Sequence, residues 1–180
     1  SLPVALAAPA WAQPGRAGVA SRTVTITQIA DTSVSQIDVS KDFLVGSRAA
    51  WQEINARGGL QGSTVRHQVI EVDGSTASLR AAMDTLKADS LSVALFGSTG
   101  DRAASQLVGM LTREMPDLPH VAPWLQNVEV VTAPNTFPIF ASRQEQIAHA
   151  IKSLSVIGIS RVGAVYGSPA EFAAYRGDLE

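Results

Sequence analysis

From residue 23 onward the apolar positions switch repeatedly between a two-residue and a three-to-four-residue spacing, the pattern of strands alternating with helices around a parallel sheet. Residues 23–30 (TVTITQIA) predict a first strand ending in the polar run Asp31-Thr32-Ser33. Residues 41–56 predict a helix with Phe43, Ser47, Ala50 and Ile54 on one face and Leu44 and Trp51 beside them; Asp42 in its first turn suits the helix dipole. Gly58 and Gly59 stop that helix, because glycine takes the left-handed backbone of a C-terminal cap at little cost. Residues 64–72 predict the second strand, and Leu79, Ala82, Met83 and Leu86 mark one face of a second helix. The apolar run 91–96 (LSVALF) reads as a strand covered on both faces. It leads into Gly97-Ser98-Thr99-Gly100-Asp101 and a third helix carrying Ala104, Leu107, Val108, Leu111 and Met115, which Pro116 ends. Residues 120–122 predict a short fourth strand.

The alternation lapses over residues 124–141, where Pro134 and Pro138 interrupt an irregular stretch, and a lobe boundary is expected near 134–141. Ser142-Arg143-Gln144-Glu145 then has the form of a capping box opening a helix striped by Ile147, Ile151 and Leu154. Residues 161–166 predict another strand, and Ser168-Pro169-Ala170-Glu171 combines a second box with proline at the first helical position. That last helix is expected to run to Glu180. The expected architecture is α/β: a doubly wound parallel sheet forming one flavodoxin-like lobe over 23–136, and an incomplete second lobe over 137–180.

Composition narrows what such a fold does. The 180 residues are 46% hydrophobic and 17% charged with a net charge of -2, so no basic surface is present for nucleic acid or for an anionic membrane. There is no cysteine, which excludes disulfides, a thiolate nucleophile and cysteine metal sites. Residues 1–12 (SLPVALAAPAWA) are uncharged, small and apolar, and close on Ala10-Trp11-Ala12, the A-x-A pattern of a signal-peptidase site. Residues 1–22 are therefore expected to be a signal-peptide remnant, entered without its initiator Met, and a disordered lead; a disordered Ala/Pro tail is the alternative. No later run approaches the roughly 18 apolar residues of a membrane span, so an exported product with no direct membrane insertion is expected.

Catalytic signals are sparse. His67, His120 and His149 lie far apart in sequence without metal-ligand spacing to one another, and no G-x-S-x-G elbow is present. No catalytic residue, metal site or cofactor is expected. The turn at residues 97–100 is neither a G-x-G-x-x-G nor a P-loop, yet its position matters: in open parallel sheets ligands bind beyond the carboxyl ends of strands. Those ends are Asp31 to Ser33, Ser98 to Asp101, Trp124 to Asn127 and Tyr166 to Ser168. Candidate ligand contacts are Ser98, Thr99 and Gly100 in the turn and Asp101 at the expected helix N-cap. Past the fourth strand come Trp124 as a flat stacking surface, Gln126 as donor and acceptor, and Arg143 at a helix start, where the dipole disfavours a cation.

Residues 43–62 (FLVGSRAAWQEINARGGLQG) resemble the E-I-N-x-x-G-G-[IVL]-x-G segment of type I periplasmic solute-binding proteins of the leucine/isoleucine/valine-binding kind. Val72-Asp73, the run 94–100 (ALFGSTG), His120-Val121-Ala122-Pro123, Asn135-Thr136-Phe137 and residues 159–166 are similar to later segments of that family in the same order. The resemblance implies a two-lobed clamshell, about twice this length, that closes on a solute and delivers it to ABC permease subunits in the inner membrane. It implies ligand contacts from the turn matching Ser98 to Asp101 and from Trp124 to Gln126. The chain departs from the amino-acid binders in having Asp101, Trp124 and Gln126 where small residues are usual, and Gly167-Ser168-Pro169 where Tyr-Gly is usual. A small amino-acid-like or organic-acid ligand is expected. A ligand-sensing domain of a signalling receptor, or a flavodoxin-like enzyme using the same loops, are the alternatives.

Overall fold

The structure is a computed structural model that describes residues 22–126 and 133–178; the leader reading of 1–12 and part of the irregular stretch, 127–132, lie outside the described residues. Strand β1 (Thr23–Asp31) is followed by helix α1 (Ile37–Ala56), β2 (Thr64–Val72), α2 (Thr76–Ala88), β3 (Ser92–Phe96), α3 (Asp101–Glu114), β4 (His120–Val121) and β5 (Thr136–Phe137). Helices α4 (Arg143–Val156) and α5 (Pro169–Tyr175) and a 3-10 turn (Arg176–Asp178) complete it. The sheet order is β2-β1-β3-β4-β5 with every pairing parallel.

The two faces of this sheet are covered differently. Ile29 and Leu95 on one face pack against Leu79, Met83 and Leu86 of α2 and Leu107 and Leu111 of α3, all fully or nearly fully buried. On the other face Ile26, Val65 and Ala94 meet Trp51 of α1, with Phe96 packed alongside. Residues in register on parallel strands share a face, so Val121 and Phe137 continue the Phe96 row. They are 37% and 53% exposed, because α1 covers β1, β2 and, through Trp51 and Phe43, β3, but not the β4–β5 edge.

The α1-to-β2 connection shows why the 55–62 motif needs its letters. Asn55 Oδ1 accepts the Val65 N–H and its Nδ2 donates to the Val65 carbonyl, both at 2.8 Å, so the side chain pairs with β2 as a neighbouring strand would. Gly59 has φ 77°, and a Cβ there would sit 2.0 Å from the Ser63 carbonyl oxygen.

Several expectations are corrected. Helix α1 starts at Ile37 rather than residue 41, and its first-turn acid is Asp38, not Asp42. Its N-cap, Gln36, makes no side-chain cap bond, so the sequence carries no start signal; the Ser33 carbonyl instead accepts the Gln36 and Ile37 N–H groups. Strand β3 is covered on both faces at Ala94 and Leu95, but its start is not: Val93 is exposed. Thr136 and Phe137, between the two prolines, form an edge strand, where proline is tolerated. Residues 161–166 form no strand: among the described residues no other strand lies beside them to complete a ladder, and Val165 is 99% exposed. Helix α5 ends at Tyr175 rather than running to Glu180.

Candidate functional site

Parallel strands place their carboxyl ends at one edge of the sheet, and the chain leaves that edge at Asp31, Gly97 and Ala122. The 97–100 turn is stitched to β1: Thr99 N–H donates to the Ile29 carbonyl at 3.2 Å and Asp31 N–H donates to the Thr99 carbonyl at 3.3 Å. Ser40 Oγ donates to the Asp31 carbonyl at 2.6 Å. A hydroxyl has one proton to give, so the 2.6 Å contact between Ser40 and Thr99 is a donation from Thr99 Oγ1 to Ser40 Oγ. Gly100 has φ 88°, and a Cβ there would lie 2.9 Å from the Asp31 Cβ.

Ser98 Oγ lies 2.9 Å from His120 Nε2, and Ser98, Thr99 and His120 are all fully buried. Burial pushes the His120 pKa down to about 4, so the ring is neutral near pH 7. A serine beside a histidine has the separation of a nucleophile and its base, but no substrate reaches this pair, and His120 Nδ1 has no hydrogen-bond partner among the described residues where a triad would hold a carboxylate. The Ser98 and Thr99 hydroxyls thus form the floor of the edge rather than its surface.

Its rim is made by the remaining candidates. Asp101 is not the N-cap of α3; Gly100 is, and Asp101 is the first helical residue. Its Oδ1 accepts the Gln126 N–H at 2.7 Å, tying α3 to the loop after β4. Gln126 in turn accepts twice from Arg143: its Oε1 from Nη2 at 3.1 Å and its carbonyl from the backbone N–H at 3.0 Å. The Arg143 guanidinium also lies 5.0 Å above the Tyr175 ring, so this cation at a helix start is balanced by an amide oxygen and an aromatic face. Trp124 N–H donates to the Ser98 carbonyl at 2.8 Å, and its ring meets Phe43 edge-on at 6.3 Å and Phe140 at 4.9 Å. Ala122, two residues earlier, has φ 54°, a left-handed conformation that turns the chain out of β4.

Two hollows open beside this rim. One of about 590 Å3 is apolar and lies between α1 and the uncovered sheet face, lined by Phe43, Ala50, Phe96 and Trp124. The other, of about 450 Å3, is lined by Asp31, Asp73, Asp101 and Arg102. Hydrogen bonds from Ser75 and Ser78 hold the exposed Asp73 carboxyl down to about 2. Asp31 and Asp73 could be located from sequence as strand-end residues; Phe43 and Phe96 could not, since apolar residues on a helix and a strand read as core. The fourth expected strand end, Tyr166 to Ser168, is absent from the rim because residues 161–166 form no strand, and Tyr166 packs on Phe172 at 5.3 Å. Among the described residues no cluster of three or more His, Asp and Glu has the arrangement of a metal site, and no helix is long and apolar enough to cross a membrane.

Neither a protein-family model nor a curated protein sequence matches the chain. Solved structures do. A substrate-binding periplasmic protein from Ralstonia solanacearum is 27% identical, with a TM-score of 0.69 over 86% of this chain and 44% of its own. An extracellular ligand-binding receptor from Verminephrobacter eiseniae is 14% identical, with a TM-score of 0.72 over 87% and 46%. A branched chain amino acid ABC transporter from Thermus thermophilus, solved with bound valine, is 17% identical, with a TM-score of 0.66 over 88% and 44%. The chain spans less than half the length of each of them. With its all-parallel sheet and flanking helices, it has the fold of a type I periplasmic-binding-protein lobe.

Proposed function

We propose that the chain is part of an extracytoplasmic, non-catalytic solute-binding component of an ABC importer, with residues 23–136 forming most of the first lobe and 137–180 the start of the second. The observation that carries this reading is the rim at the strand ends, where Asp101, Trp124, Gln126 and Arg143 converge from α3, the loop after β4 and α4. In this reading the Trp124 ring walls the ligand, Gln126 and Arg143 orient its oxygens, and the Asp101 carboxylate receives a cationic group such as an ammonium. Ser98, Thr99 and Gly100 hold the floor in place. A zwitterionic amino acid or a related organic acid fits that pairing of charges, and the Thermus structure with valine is a precedent on the same fold. The proposed partners are permease subunits in the inner membrane, and the proposed location is the periplasm, in keeping with the A-x-A pattern of residues 10–12.

A thermal-shift screen of the full-length protein that contains this chain, against amino acids, aromatic acids and dicarboxylates, tests this. A compound that binds only the folded form at about ten times its dissociation constant stabilises by about 1.4 kcal/mol. At least one such compound is expected, its effect lost in Trp124→Ala. A panel with no active member, or an equal response in the variant, removes the rim as the site.

A further inference from the structure

The order β2-β1-β3 makes the space between β1 and β3 the point where the chain changes direction across the sheet: α1, which follows β1, packs on one face, and α3, which follows β3, packs on the other. The loops leaving these two strands part there, and open parallel sheets take their ligands in the crevice so formed. The hollow of about 450 Å3 occupies it. Asp31 and Gln36 line it from the end of β1 and its loop, Asp73 and Gly74 from the loop after β2, and Asp101 and Arg102 from the start of α3.

Asp31 is only 4% exposed, yet among the described residues its side chain makes no ion pair, and its one hydrogen bond is Oδ1 accepting the Ser33 N–H at 2.9 Å. Oδ2 is left open. Gly74, at φ 79°, and Gly100, at φ 88°, flank it, and a Cβ on either would stand 3.1 Å from Oδ2, so both turns keep side chains off that oxygen. Asp101 is already bonded, through Oδ1, to the Gln126 N–H. Arg102 makes no ion pair with Asp31 or Asp73. A buried carboxylate with an unbonded oxygen is stabilised by a cation that also donates hydrogen bonds, and an ammonium carries three such donors. A metal ion is the poorer fit, since among the described residues no group of three or more His, Asp and Glu has the arrangement of a metal site.

We propose that this crevice takes the ammonium group of the solute, with Asp31 as its buried anchor and the exposed Asp73 adding negative charge, so that the solute is an amine and not a simple carboxylic acid. This rests on the solute-binding reading and moves the main cation contact from Asp101 to Asp31. Calorimetry on the full-length protein that contains this chain tests it with three pairs of probes: L-valine and 3-methylbutanoate, L-phenylalanine and 3-phenylpropanoate, 1,4-diaminobutane and 1,4-butanediol. At least one amine is expected to bind, about tenfold or more tighter than its amine-free counterpart. Asp31→Asn keeps the side chain's shape and an acceptor for the Ser33 N–H, and is expected to weaken that amine about tenfold. Asp73→Asn, outside the core, should weaken it about threefold. The inference is overturned if no amine binds, if an amine-free counterpart binds as tightly, or if Asp31→Asn retains the parent's affinity; should that variant not fold, full affinity in Asp73→Asn overturns it. Trp124→Ala separates the crevice from the rim. Amine binding lost in Trp124→Ala but kept in Asp31→Asn overturns the inference and keeps the rim, whereas the reverse supports the crevice and removes the rim.

Discussion

Helices α3 and α4 are each 14 residues long and each carries an apolar stripe, yet α3 buries six residues and α4 buries none. Both stripes are helical in period, and both helices formed. The difference lies in what faces them: α3 lies on a sheet face with α2 beside it, whereas among the described residues Ile147, Ile151 and Leu154 of α4 have no comparable apolar layer opposite. Helix α4 is held at its start, by the Ser142–Glu145 capping box and the Arg143 contacts to Gln126. An amphipathic pattern therefore states that a helix will form and which face is apolar, while its stability in the fold comes from the surface that receives it.

The sharpest way to break this comparison is a matched pair of truncations. Leu107→Ala in α3 removes a fully buried side chain and should cost about 2 to 5 kcal/mol of unfolding free energy in urea, whereas Leu154→Ala in α4 should cost less than about 0.5 kcal/mol. Equal costs would mean that α4 is as firmly packed as α3.

Acid should act on the same well-packed side. His120 is fully buried, with its pKa lowered from 6.5 to about 4. The unfolded chain takes up the proton first, so stability is fully present above pH 6.5 and is lost as pH falls towards 4, by about 3 kcal/mol. His67, also lowered, contributes with the same sign. A His120→Gln variant should lose most of this slope in chemical denaturation across that window, and a parent chain with no slope there would show that His120 is not desolvated.

At the rim between the two regions the expected effects are smaller. Trp124→Ala should cost about 1 to 3 kcal/mol of ligand affinity by calorimetry, with little loss of fold since the ring is only half-buried. Asp101→Asn keeps an oxygen able to accept the Gln126 N–H, so it should leave the fold intact, weaken a cationic ligand, and bind a simple carboxylate as well or better. Least of all, Ser142→Ala should remove about 1 kcal/mol from α4 alone. It should appear as lost helical circular dichroism below the main transition rather than as a shift of that transition.

What can be read from the letters alone follows the range of the forces involved. The βα alternation, the buried stripe of α2 at Leu79, Ala82, Met83 and Leu86, the box at Ser142 and the turn glycines at 58 and 59 depend on hydrogen bonds, dihedral angles and periodicities within a few residues, and each was legible. Legible too was that the strand ends would gather Asp31, Asp101, Trp124 and Gln126, because a parallel sheet puts every carboxyl end on one edge. The rest needed partners far away in the chain. Residues 161–166 have the composition of a strand but no neighbour to pair with among the described residues, and Thr136–Phe137 became a strand because β4 was there to receive it. The Ser98 and Thr99 hydroxyls turned inward because His120 and Ser40, 22 and 59 residues distant, stood ready to bond them. Local chemistry thus decided which elements form and where they turn; tertiary contact decided which strands pair, which faces are sealed and which polar groups remain available to a ligand, since burial and pairing are properties of neighbours that a residue's own sequence window does not contain.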